Sequence, residues 1–222
     1  MQGRLTAKLC VAGSDGRRGS KAGPELIDYG RQGRLFIPAS TASGGPYPLL
    51  VMLHGATYDA DSAMSHVRSR AADRGYMVFA PKSEGRTWDL IRTGFGPDFN
   101  AINEALEHIS SGYPIDAGKV AIGGFSDGAS YALTLGLLNG DLFKTTLAFS
   151  PGFTVAKQVV GRPRIYISHG VSDPVLPFER CGAALARVLA DAGLDVKFDP
   201  FEGGHTVPDA QVESASDWWL RD

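Results

Sequence analysis

The sequence has little cysteine: Cys10 and Cys181 are the only two in 222 residues. A disulfide framework is therefore excluded as the source of its stability, and one bridge at most is possible. Long hydrophobic runs are also missing. No stretch approaches the ~20 apolar residues that a spanning helix requires. The opening residues, 1–23, carry only a short apolar stretch interrupted by Lys8. That pattern does not read as a secretory signal, so the expected location is the cytoplasm unless a signal was already removed. Charge of one sign is absent too: 22 basic residues face 24 acidic ones, without long basic runs. This excludes the electrostatic footprint of a nucleic-acid partner and of stable association with an anionic membrane. The oligomeric state leaves no mark in the sequence.

What remains has the balance of a soluble globular protein, with 43% hydrophobic and 21% charged residues. The length suits one domain with a sizeable core. Residues 1–23, rich in Gly and Arg, are expected to form a strand fragment and a mobile loop, with the main domain at 24–222. Short apolar runs at 26–29 and 34–38, separated by Gly30-Arg31-Gln32-Gly33, predict a hairpin. Beyond them strands and helices alternate. Strands are expected at 49–53, 77–81, 120–125, 145–150, 164–168 and 196–201. Helices are expected at 61–74 with a stop at Gly75, from Asp98 as N-cap through Ile109, at 127–138, 178–192 and 209–220. The segment 127–138 is apolar on nearly every face, which marks a buried helix. In the 178–192 helix, Cys181, Leu185, Val188, Leu189 and Ala192 are expected on one buried stripe.

This alternation predicts an α/β fold: a mostly parallel central sheet with helices on both faces. In such folds functional residues lie beyond the carboxyl ends of the strands. The strand at 120–125 runs into Gly124-Phe125-Ser126-Asp127-Gly128, a G-x-S-x-G pattern between a strand and a buried helix. Alone the pattern is weak, since chance supplies roughly 0.3 copies in a chain this rich in Gly and Ser. Its setting raises its weight, because a serine on a sharp strand-to-helix turn needs small neighbours and presents its hydroxyl.

A serine hydroxyl needs a base, and the base an orienting carboxylate. Five histidines are available. His66 and His108 fall inside predicted helices, and His54 and His169 precede the turns after their strands. His205 lies in the glycine-flanked loop after the last strand and is the best candidate base. Asp173 follows the strand at 164–168 and is the candidate acid, although Asp-Pro also simply makes turns. The chain order Ser…Asp…His matches that of serine hydrolases built on parallel sheets. Oxyanion donors are expected from the backbone N–H groups of Asp127 and Ala56, with Thr57 as second choice. Two such donors are worth roughly 3–4 kcal/mol each.

The motifs Leu53-His54-Gly55, Gly124–Gly128, residues 169–177 (HGVSDPVLP) and residues 203–208 (GGHTVP) together resemble the phospholipase/carboxylesterase branch of the α/β-hydrolase superfamily. That branch includes acyl-protein thioesterases and small bacterial carboxylesterases. The resemblance spans roughly residues 26–220. It implies Ser126 as nucleophile, Asp173 as acid, His205 as base, Ala56 and Asp127 as oxyanion donors, and no cofactor or metal. It implies a small-molecule ester substrate hydrolysed through an acyl-enzyme. The thioesterase members carry a longer polar, Gly-rich run after the His-Gly pair. Here that run is Ala56-Thr57-Tyr58-Asp59, which weakens the carry-over of their lipidated-protein substrate.

The expected activity is carboxylesterase action on short- to medium-chain esters. The alternatives are lysophospholipase or thioesterase action with the same three residues, or a non-catalytic binding homologue. Residues 151–163 are too few for a helical lid domain, so an open site without interfacial activation is expected. Residues 82–97 lack periodicity, which in a compact domain points to function or disorder. Trp88 there either lines the substrate pocket or packs the loop down. Thr57 and Phe153 complete the candidate substrate-binding residues.

Overall fold

The computed structural model describes residues 3–8, 24–39 and 46–221. One sheet of eight strands runs through it. β1 (Glu25–Asp28) and β2 (Gly33–Ile37) form the expected hairpin, and β2 continues antiparallel onto β4 (Met77–Pro81). β3 (Tyr47–Leu53), β4, β5 (Ile115–Phe125), β6 (Thr145–Phe149), β7 (Arg164–Gly170) and β8 (Val196–Phe201) are all parallel. The order is β1-β2-β4-β3-β5-β6-β7-β8.

The alternation of side chains along β3 shows how the sheet makes two cores. Leu49, Val51 and Leu53 face one layer; Leu50 and Met52 face the other, and all are buried. A strand covered on both faces reads as a continuous apolar run, as this one does. α1 (Ala60–Arg74) and α6 (Asp209–Leu220) cover one face through Met64, Val67, Val212, Trp218 and Trp219. α3 (Pro97–Gly112) and α4 (Asp127–Leu138) cover the other through Ile102, Leu106, Ile109, Tyr131 and Leu135. α5 (Gly182–Asp191) extends that layer with Ala186 and Leu189. None of the helices in the described residues is long and apolar enough to cross a membrane.

Connectivity creates one privileged place. From β3 the chain moves through α1 to β4 on one side, then crosses back through α3 to β5 on the other side of β3. The strand order reverses between β3 and β5, and the crevice beyond their carboxyl ends is where open α/β sheets hold ligands.

Several elements differ from their sequence expectation. Asp98 is not the cap of α3. Gly96 occupies that position and Pro97 opens the helix, while the carboxylate at its N-terminus is Asp89 of α2 (Asp89–Arg92). Asp89 Oδ2 accepts the N–H groups of Gly96, Asp98 and Phe99 at 2.9–3.1 Å. The expected helix at 178–192 is a 3-10 turn, Phe178–Arg180, followed by α5. Val188, 60% exposed, and Ala192, exposed just past the end of α5, lie outside the buried stripe. The sixth strand stops at Phe149, because Ser150 takes a left-handed φ of 51°. Residues 3–8 form no strand. The N–H of Leu5 is taken by the Asn139 side chain and those of Thr6 and Ala7 by Asn103, so a strap replaces ladder pairing. The loop expected within 9–23, and Cys10 with it, lie outside the described residues. Cys181 is a buried free thiol.

Candidate active site

The switch-point crevice is built from the ends of β3, β5, β7 and β8. β5 ends at Phe125, and Ser126 then turns the chain into α4 with φ 57° and ψ −117°. This is a strained backbone for a residue with a side chain. Its N–H is held by the Phe149 carbonyl at 2.9 Å. The flanking glycines are required by contact distance. A Cβ on Gly124 would lie 2.4 Å from the Gly128 carbonyl carbon, and one on Gly128 would lie 2.5 Å from the carbonyl oxygens of Leu53 and His54. The G-x-S-x-G spacing therefore lets β5, α4 and the end of β3 close on one another.

His205 comes from the loop after β8 and Asp173 from the loop after β7. These loops are tied by backbone bonds from Val171 N–H to Phe201 O and from Ser172 N–H to Gly203 O, both 3.0 Å. His205 Nε2 lies 2.9 Å from Ser126 Oγ, and His205 Nδ1 lies 2.7 Å from Asp173 Oδ2. The structure thus brings the three residues into one hydrogen-bonded chain. The Phe125 ring lies 4.7 Å from the imidazole, centroid to centroid. The Asp173 side chain is fully buried and that of His205 is 14% exposed. Burial is the largest influence on the Asp173 carboxyl and pushes it up. The Leu176 N–H, His205 and the Val175 N–H outweigh that burial and hold it below the usual carboxylate range.

The two expected backbone donors belong to Asp127, next to Ser126, and to Ala56, next to Gly55, which approaches Phe125. The Asp127 N–H is the first of α4, where no intrahelical acceptor exists and the helix dipole favours negative charge. The Ala56 N–H, beyond β3, has no protein acceptor in the described residues. Thr57 differs. Its backbone is left-handed at φ 67°, and its N–H donates to the Arg86 carbonyl at 2.5 Å. That N–H is thereby spent on the 82–97 loop, so it is not available as an oxyanion donor.

Trp88 takes the packing alternative. It is fully buried, its indole N–H donates to the His54 carbonyl at 2.8 Å, and it stacks on Tyr131. A side chain with no exposed surface cannot line an open pocket, so its placement among pocket residues is corrected. Phe153 is 38% exposed on the loop after β6, whose backbone N–H groups at Gly152 and Phe153 lie 2.9 and 3.4 Å from Ser130 Oγ in the first turn of α4. His54 is a neutral structural ring. Burial depresses its pKa, Nδ1 faces the Gly55 carbonyl, and Nε2 accepts the Ser83 N–H. His66 packs edge-on against Phe125 and His108 against Tyr29.

Two contacts at the site have no local sequence signal. Thr87 Oγ1 donates to Asp127 Oδ2 at 2.6 Å, fastening the 82–97 loop to the start of α4. The buried His169 ring lies against Asp173 from beneath, with Nε2 3.2 Å from Oδ2. No group of three or more His, Cys, Asp or Glu side chains in the described residues is placed to hold a metal ion.

Comparison with known proteins agrees with this architecture. A probable feruloyl esterase C of Aspergillus niger is 26% identical over 205 residues, 86% of this chain and 69% of that protein. The putative hydrolase MhqD of Bacillus subtilis is 24% identical over 202 residues, 87% of this chain and 96% of its own. The crystal structure of esterase PE8 superposes with a TM-score of 0.66 at 23% identity, covering 84% of this chain and 96% of that one. The model of the phospholipase/carboxylesterase family matches residues 93–219. That span is more than half the chain and contains Ser126, Asp173 and His205, so the chain belongs to the phospholipase/carboxylesterase family, whose members are ester hydrolases of the α/β-hydrolase fold.

Proposed function

We propose that the chain is a serine carboxylesterase that hydrolyses short- to medium-chain carboxylic esters through an acyl-enzyme on Ser126. The observation that carries this reading is the chain Ser126 Oγ, His205, Asp173 at 2.9 and 2.7 Å. Ser126 Oγ attacks the ester carbonyl carbon while its proton passes to His205 Nε2. Asp173 holds the Nδ1–H and stabilises the imidazolium. The carbonyl oxygen, now an anion, is received by the Ala56 and Asp127 N–H groups. Collapse breaks the bond to the alcohol oxygen, which leaves with the proton from His205. Water then repeats the cycle on the acyl-enzyme, releasing the acid and restoring Ser126.

Tyr58, Phe153 and Val175 are exposed apolar side chains on the loops after β3, β6 and β7, and residues 151–163 carry no helix that would close over them.

A fluorophosphonate is expected to add to Ser126 of the native chain and not to S126A, with turnover of p-nitrophenyl acetate falling at least about ten-thousand-fold in the variant. Turnover that persists in S126A would sink the proposal. A panel of acyl lengths, with a feruloyl ester, a lysophospholipid and an acyl thioester beside it, ranks the substrate classes.

A further inference from the structure

We infer that His169 is a positioning residue for the Asp173–His205 pair: its Nε2–H, donated to the Leu176 carbonyl and held beside Asp173 Oδ2, fixes the turn whose carboxylate orients the base. This rests on the proposed reading of Ser126, Asp173 and His205.

The carboxylate of Asp173 is satisfied entirely by protein. Oδ1 accepts the N–H groups of Val175 and Leu176 at 2.8 and 2.9 Å. Oδ2 lies 2.7 Å from His205 Nδ1 and 3.2 Å from His169 Nε2. The side chains of Asp173 and His169 are both fully buried, so each contact is a direct one. His169 Nε2 is also 2.8 Å from the Leu176 carbonyl oxygen. A carbonyl only accepts, so Nε2 carries the hydrogen. Leu176 is thereby bracketed: its N–H goes to Asp173, and its C=O receives His169. The turn that carries the acid is closed from below by this one imidazole.

Two further observations show that the N–H is what the position requires. With Nε2 protonated in a neutral ring, Nδ1 is an acceptor, and it is buried with no hydrogen-bond partner. An orphaned acceptor is unfavourable. A leucine or phenylalanine in the same volume would have none. The start of α5 is also cleared for the ring: a Cβ on Gly182 would lie 2.4 Å from Nδ1 and 2.7 Å from Cβ of His169. Phe178 closes the remaining side edge-on at 6.0 Å. Burial, the largest influence, pushes the His169 pKa down and keeps the ring neutral. The titratable groups facing the pair are His205 from the loop after β8 and Cys181 just after the 3-10 turn.

The test uses the full chain. In 15N-histidine-labelled native protein, His169 is expected as the Nε2–H tautomer at neutral pH. H169L is expected to lower kcat on p-nitrophenyl acetate about tenfold, the scale of one lost hydrogen bond in the turn that holds the acid, with KM within about twofold because His169 touches no substrate. The acidic limb of kcat/KM should move to higher pH, since a carboxylate that loses the positive end of a nearby N–H dipole holds the imidazolium more strongly. H169Q, which offers a neutral N–H at similar reach, should restore the limb and bring kcat within about threefold of native. A loss of packing alone would lower kcat without moving the limb. An unmoved limb in H169L overturns the inference, as does an Nδ1–H tautomer in the native protein. The second result decides the matter without any variant if H169L does not fold. Failure of the esterase reading looks different: Ser126 stays unlabelled and the native chain turns over no ester, and the inference then falls with it.

Discussion

At Ser126 the backbone and the chemistry make opposite demands. A φ of 57° with ψ −117° suits glycine, yet the position holds a side chain. Such strain costs on the order of 1–3 kcal/mol and persists only where the surroundings enforce it. Here they do: the N–H is held by Phe149, and Gly124 and Gly128 leave no room for the turn to relax. Replacing the serine separates the two demands. S126A keeps the strain and S126G relieves it, so S126G is expected to be more stable than S126A by about 1 kcal/mol, after allowing for the extra freedom of glycine in the unfolded chain. Urea unfolding of the two variants measures the difference. If S126A proved equal or more stable, the turn would not be strained.

At the scale of elements, α4 shows packing overruling intrinsic preference. Gly136 lies inside this helix, where glycine is worth about 1 kcal/mol less than alanine. A Cβ there would lie 2.0 Å from Thr146 Oγ1 and 3.2 Å from Thr146 Cβ on β6. Overpacking of that kind costs about 1–3 kcal/mol. G136A is therefore expected to destabilise by about 1 kcal/mol net, seen as a lower urea midpoint at unchanged slope. A raised midpoint would mean that α4 has slack against the sheet. The same contrast explains what the sequence disclosed. The strands, α1, α4 and α6 were legible because their signals are local: apolar runs, helical spacing and a stop such as Gly75, which takes φ 73° at the end of α1. Ser126, Asp173 and His205 were legible because each follows a strand. The loop at 82–97 was not, because its order comes from distant partners. Asp89 caps a helix from the preceding turn and accepts the Tyr131 hydroxyl, Thr87 reaches Asp127, and Trp88 is buried against His54. No periodicity within sixteen residues encodes such contacts. The partner of Thr57 was hidden for the same reason, since Arg86 belongs to that loop. Val188 misled through the opposite effect: it fits the helical stripe, but no described residue covers α5 on that side.

For the whole molecule, three of the seven tyrosines tie separate elements together through buried hydroxyls. Tyr76 meets Ser216 and Trp219 of α6. Tyr131 donates to Asp89 and stacks on Trp88. Tyr166 of β7 donates to Asp199 and to the Gln211 carbonyl. Burial pushes the Tyr76 hydroxyl up from 10.0 to about 12. Burial first, then the neighbouring carboxylates Asp89 and Asp199, push Tyr131 and Tyr166 up as well. The unfolded chain releases these protons near pH 10, whereas the native state keeps them to higher pH. Native stability is then fully present below pH 10 and falls as pH rises toward and beyond the native values. Each group contributes a slope of about 1.4 kcal/mol per pH unit, so the three together approach about 4 kcal/mol per unit once the unfolded tyrosines are ionised. That is steep against a total stability of about 5–15 kcal/mol. Unfolding midpoints are expected to hold steady up to about pH 10 and to drop sharply between about pH 10 and 12, with tyrosinate absorbance from these three rings appearing together with loss of the fold. If all seven tyrosines instead titrated near pH 10 while the protein stayed folded, the three hydroxyls would be reachable by water and the layers would not be sealed as described.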